Sequence, residues 1–144
     1  MSPTLFSIFI NQLADHMNEE GMHGVRLFPD IFELFILMFA DDVALLSTTP
    51  RGLQKQLNIL GTCCDNLKLT VNIDKTKIIV FRKGGFLGRH ERWFYKGHLL
   101  EVVNQYCYLG FNFTTMLSAK RGSQHLVTKG KKATFQLNKV FQNY

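Results

Sequence analysis

Apolar residues at Phe6, Phe9, Ile10, Leu13 and Met17 recur every three or four positions, the repeat of a helix with one greasy face. Ser2 followed by Pro3 opens the pattern with a capping hydroxyl and a ring whose fixed φ suits the first helical position. Gly21 closes it, since glycine takes the left-handed conformation that ends helices. A helix over residues 3–19 follows. A second stripe, Leu53, Leu57, Leu60, Cys64 and Leu67, runs behind Thr48-Thr49-Pro50 and predicts a helix over about residues 50–67.

Between the two helices the period changes. Val25 to Leu27 predicts a short strand and Pro29-Asp30 a turn. Leu34 to Phe39 and Val43 to Leu46 are runs of strand formers separated by Ala40, Asp41 and Asp42, the pattern of a tight hairpin with acids at its tip. Beyond the second helix, Leu67 to Val71 is a short apolar stretch between Asn66 and Asn72, and Ile78 to Phe81 predicts a strand. Lys83-Gly84-Gly85 opens a basic loop. Trp93 to Tyr95, Leu99 to Val103 and Tyr106 to Phe113 predict short strands joined by turns at Lys96-Gly97 and Asn104. From Ser118 a helical tail is expected, with Leu126, Val127, Phe135, Leu137, Val140 and Phe141 as its apolar positions.

Composition narrows the class. With 144 residues, 46% of them hydrophobic, the chain has the size and apolar content of one packed domain. Three cysteines, two of them adjacent at Cys63-Cys64, are too few for a disulfide framework and have no zinc-site spacing, so a reducing, intracellular setting is expected. The opening MSPTLFSIFI lacks a basic leader, and the longest apolar run, Leu34 to Ala40, is far short of a membrane span; no membrane role is expected.

Charge is divided along the chain. Residues 1–50 carry one base and seven acids, a net of −6, whereas residues 51–144 carry sixteen bases and four acids, a net of +12. An acidic first third beside a basic remainder suits a cation-holding site next to a polyanion, and a solvated basic surface equally.

The acidic pair carries the chemistry. Adjacent carboxylates repel, and apolar flanking strands make them worse neighbours still. A divalent cation reverses that balance: Mg²⁺ takes hard oxygen ligands, usually one or two carboxylates together with substrate phosphates. Aspartate also simply suits a turn.

LMFADDVALLS, residues 37–47, resembles the Phe-Ala-Asp-Asp hairpin of reverse transcriptases, in particular the non-LTR (LINE-type) retrotransposon enzymes. Three other stretches extend the resemblance in the same order. SPTLFSIFINQL (2–13) is similar to the helix before the hairpin, and GLQKQLNILGTCCDNLKLTVNIDKTKIIVF (52–81) to the helix and strand after it. YKGHLLEVVNQYCYLGFNF (95–113) is similar to the primer-grip hairpin.

The resemblance implies a partial polymerase palm over residues 1–113 and a basic tail, 114–144, that begins a thumb. The fold it implies is α+β: an antiparallel sheet carrying the acidic β-hairpin, two packed helices, and a C-terminal hairpin leading to a helical tail. Asp41 and Asp42 are implied as metal ligands, for two Mg²⁺ ions in the intact family, and Phe39 and Ala40 as the residues shaping the hairpin. Lys75, or its neighbour Lys77, is implied near the leaving pyrophosphate of an incoming dNTP. Tyr106, Tyr108, Leu109 and Gly110 are implied as the primer grip, with Gly110 allowing close backbone approach to nucleic acid. Lys120, Arg121, Lys129, Lys131 and Lys132 are implied as phosphate contacts to RNA template and DNA primer.

The family's centre also needs an aspartate on a strand before the first helix, a Gln-Gly pair before Ser-Pro, and fingers. None lies in this sequence, so the chain is expected to be an inactive fragment with weak or absent Mg²⁺ binding and an unprotected apolar strand edge near Leu34 to Phe39 that invites association. The alternative expectation is a non-catalytic nucleic-acid-binding remnant of a retroelement.

Overall fold

A computed structural model describes residues 3–28, 32–82, 87–88 and 91–115. The order of elements is α1 (Pro3–Glu19), β1 (Val25–Phe28), β2 (Phe32–Leu34), β3 (Ile36–Phe39), β4 (Asp42–Leu45), α2 (Pro50–Asn66), β5 (Lys77–Ile78), β6 (Phe94–Tyr95), β7 (His98–Leu99), β8 (Glu101–Val102), β9 (Gln105–Tyr108) and β10 (Phe111–Thr114). Among the described residues this is an α+β fold of two helices and five two-stranded pairings. The Ser2 cap, the Pro29-Asp30 turn, the Lys83-Gly84-Gly85 loop and the tail from Ser118 lie outside the described residues.

The chain divides into two compact units. The first comprises residues up to Thr76 together with Gly88–Leu100. In it α1 and α2 pack against each other. Ile10, Leu13 and Met17 are buried on α1, and Leu57, Leu60, Cys63 and Cys64 on α2. Each large apolar side chain so buried contributes about 1.5–3 kcal/mol relative to exposure. Thr49 caps α2, its Oγ1 accepting the Gly52 N–H at 3.0 Å, with Pro50 as the first helical residue.

The short stretch from Trp93 to Lys96 closes over the second helix. The Trp93 Nε1–H donates to the Pro50 carbonyl at 3.0 Å. Gln54 imitates a neighbouring strand: its Oε1 accepts the Phe94 N–H and its Nε2 donates to the Phe94 carbonyl. Tyr95 is buried beside Cys64, to which it hydrogen-bonds. Burial pushes the Tyr95 hydroxyl and both thiols up, since each loses water around its anionic form. Lys96 and Gly97, both at positive φ, make the two-residue turn between β6 and β7, and Lys96 Nζ pairs with Asp65.

The second unit comprises, among the described residues, 77–82, 87 and 101–115. β5 and β8 pair in parallel, Lys77 opposite Glu101, and their side chains form an ion pair at 2.6 Å. β9 and β10 form a hairpin whose turn, Leu109-Gly110, has φ of 49° and 81°. Phe113 of this hairpin meets Phe81 edge to face at 6.3 Å between centroids.

Several boundaries differ from expectation. The strand expected over Ile78 to Phe81 pairs only at Lys77–Ile78, because its partner β8 offers only two residues. The strand expected over Leu99 to Val103 is split at Leu100, which is 2% exposed and donates its N–H to the Trp93 carbonyl. Leu34 belongs to β2 rather than to the acidic hairpin, and Phe35 separates the two. The pairings are separate ribbons rather than one continuous sheet.

Candidate active site

The acidic hairpin is built on four rungs, Ile36–Leu45, Leu37–Ala44, Met38–Val43 and Phe39–Asp42. Only Ala40 and Asp41 are left to turn the chain, so Asp42 is the first rung of β4 rather than part of the turn. Two-residue turns that match strand twist require positive φ, and Ala40 has φ 51°. Alanine there carries about 1 kcal/mol of strain that glycine would not. A strained residue held next to paired carboxylates is the kind of backbone outlier found at ligand sites. Asp41 and Asp42 are both exposed. So are Leu37 and Phe39, two apart along β3, while Ile36 and Met38 are half-buried.

The other end of the hairpin is tied to α2. The Leu46 N–H donates to the Phe35 carbonyl at 2.8 Å, extending the ladder by one bond. Gln56, on α2, donates from Nε2 to the Leu46 carbonyl at 2.9 Å and to the His23 carbonyl at 3.1 Å. Sequence reasoning missed Gln56. Its position three after Leu53 and four before Leu60 places it on the apolar stripe, and that spacing was the available signal.

The donor set at the tip is two hard carboxylates, which suits Mg²⁺. Among the described residues, no group of three or more His, Cys, Asp or Glu side chains assembles around an ion. The pair therefore fits a metal as half of a site, with remaining ligands to come from phosphate oxygens, water or further carboxylates.

The other sequence-derived candidates lie on other elements. Lys75 is exposed on a turn in which its N–H donates to Asn72 Oδ1 and the Asn72 carbonyl accepts from Thr76; Asn72 is thus a turn-former. Lys77, its neighbouring candidate, is held by Glu101. Tyr106 and Tyr108 lie on β9, and Leu109 and Gly110 form the turn; positive φ accounts for the glycine without any ligand. Lys120, Arg121, Lys129, Lys131 and Lys132 lie outside the described residues.

A two-helix α+β scaffold presenting adjacent aspartates on a hairpin tip is the kind of platform a phosphoryl-handling polymerase needs. Residues 1–113 match the family model for reverse transcriptase (RNA-dependent DNA polymerase), and the chain belongs to that family. Its members generally use divalent metals and bind RNA template and primer. No curated protein and no solved structure matches the chain. Among the described residues no helix is long and apolar enough to cross a membrane.

Proposed function

We propose that this chain is the palm portion of an intracellular reverse transcriptase of the non-LTR, LINE-type retrotransposon class. Residues 1–113 form the partial palm with a primer-grip-like hairpin, and residues 114–144 begin the thumb. The observation that carries the reading is the Phe-Ala-Asp-Asp tip: a strained two-residue turn that holds Asp41 beside Asp42 at the end of a four-rung ladder.

Bound Mg²⁺ would supply the charge neutralisation that phosphoryl transfer from a dNTP to a primer 3′-hydroxyl needs. Asp41 and Asp42 give it carboxylate oxygens. Lys75, with its backbone fixed by Asn72, offers a cation for the pyrophosphate that leaves. Tyr106, Tyr108, Leu109 and Gly110 support the primer end, and the basic tail neutralises backbone phosphates without reading sequence. Two carboxylates alone leave the catalytic geometry open, so the chain by itself is a non-extending fragment whose Mg²⁺ binding is weak.

Two measurements test this. In primer extension with RNA template, dNTPs and Mg²⁺, the chain alone yields no product; product that disappears in Asp41→Asn would overturn the fragment reading. Bound Mn²⁺, followed by its electron paramagnetic resonance, falls in Asp41→Asn and Asp42→Asn; binding indifferent to both would overturn the site. The net charge of +12 over residues 51–144 favours a second reading, a nucleic-acid-binding remnant without catalysis. Binding to RNA–DNA duplex that weakens steeply with salt, and that is unchanged in both aspartate variants and by Mg²⁺, would select it.

A further inference from the structure

Gln56 is 1% exposed in the middle of an otherwise apolar helix face, and it is the buried polar side chain of the described core. Both of its nitrogen contacts, at 2.9 and 3.1 Å, are to backbone carbonyls, which only accept, so the amide must present its NH₂ to them. No donor among the described residues reaches Oε1. The side chain is thus held in place by its two donated bonds, and a plain space-filler would leave both carbonyls without them.

Those carbonyls mark a junction. Leu46 follows β4 directly and bonds back to Phe35, the residue that precedes β3. His23 precedes Gly24, whose N–H donates to Glu33 Oε1 at 2.8 Å. Gly24 approaches the chain so closely that a Cβ would collide with the Leu34 carbonyl and the Phe35 Cα. One carboxamide therefore joins two chain segments, at His23 and Leu46, and these hold the third, 34–35, through the Leu46–Phe35 bond and the close approach of Gly24.

We propose that Gln56 is the positioning residue of the acidic hairpin: it ties the Leu46 end to α2 directly and, through the Leu46–Phe35 bond, the strand end opposite, so that the tip holds Asp41 and Asp42 in a set place for a divalent cation. The cation clause rests on the function proposed above; the clamp itself does not. The mechanism is leverage. A hairpin of four rungs that pairs with no other strand among the described residues pivots about its base, and an amide that bonds both Leu46 at that base and the His23 carbonyl beside it removes the pivot.

Gln56→Met keeps length and volume and removes the donors. Gln56→Asn keeps the donors and falls one methylene short of the carbonyls. In both variants, hydrogen exchange of the amides in Ile36–Phe39 and Asp42–Leu45 speeds up by about tenfold or more, while that of the β6–β7 hairpin holds steady. Mn²⁺ affinity at the tip falls several-fold with both aspartates intact. In the parent protein the Gln56 side-chain NH₂ exchanges slowly, a readout that needs no variant to fold. Uniform acceleration across the first unit, or a parent Gln56 amide exchanging as fast as one in open solvent, would overturn the clamp. A hairpin-confined loss of protection in a parent that shows no Asp41-dependent Mn²⁺ binding upholds the clamp and overturns the metal reading instead.

Discussion

Ala40 is the residue on which the tip turns. Its φ of 51° is forced by a ladder that leaves only two residues to reverse the chain. A β-branched side chain tolerates that region worst. Ala40→Val therefore lowers stability by about 1–2 kcal/mol in urea unfolding, whereas Ala40→Gly holds it or raises it slightly. Equal stability of the valine variant and the parent would show that the turn relaxes to another form. At this scale the sequence displayed the acids plainly, since paired aspartates between apolar runs have few other settings. It did not display the strain, which arises from cross-strand register and is invisible in a one-dimensional pattern.

Among the elements, the two helices were the most legible, because each combines a periodic apolar face with explicit start signals. The end of α2 was legible to within a residue, at Asn66 with Leu67 as its cap, but the way it closes was not. Lys68 has φ 57°, with its N–H on the Asp65 carbonyl and the Leu69 N–H on the Cys64 carbonyl. That is a Schellman closure made with lysine where glycine is usual. Lys68→Gly is expected to raise the thermal midpoint, gaining about 0.5–1 kcal/mol, while Thr49→Ala at the opposite end costs about 1 kcal/mol. A destabilising glycine would mean that the lysine side chain contributes more than its backbone strain removes.

The short strands were the least legible elements. β5 and β8 are two residues each and pair across a separation of 24 positions, so no local pattern announces them. The turn at Lys96-Gly97 read well, because a residue followed by glycine meets the need of both turn positions, whereas the strand expected over Tyr106 to Phe113 is in fact broken at Leu109-Gly110 into β9 and β10. Gln56 went unread for the opposite reason: its residue type suggests a surface, and only its place in the helical stripe suggests a core.

For the molecule as a whole, pH links the buried acids to stability. Cys63, Cys64 and Tyr95 all have values pushed up chiefly by burial. The folded state thus keeps protons that the unfolded state releases. This stabilisation is complete below the ordinary thiol value of 9.0, and is lost as the solution becomes more alkaline. The thermal midpoint is expected to be level near neutrality and to fall from about pH 9 upward, with Tyr95→Phe softening the fall above about pH 10. A midpoint level to about pH 11 would refute this linkage. The exposed Cys107 should be the first thiol alkylated in the native protein, ahead of the buried Cys63 and Cys64.

The return of the chain to the first unit through Gly88–Leu100 has a practical corollary. Any gene truncated after Thr76, whether by a natural stop codon or at the bench, keeps both helices and the acidic tip. It discards Trp93, Tyr95 and Leu100, each at most 4% exposed, and so uncovers the flank of α2 against which Trp93 and Tyr95 lie. The shortest stretch that can be expressed with an intact helical layer must therefore run to Leu100, carrying with it a severed piece of the other unit.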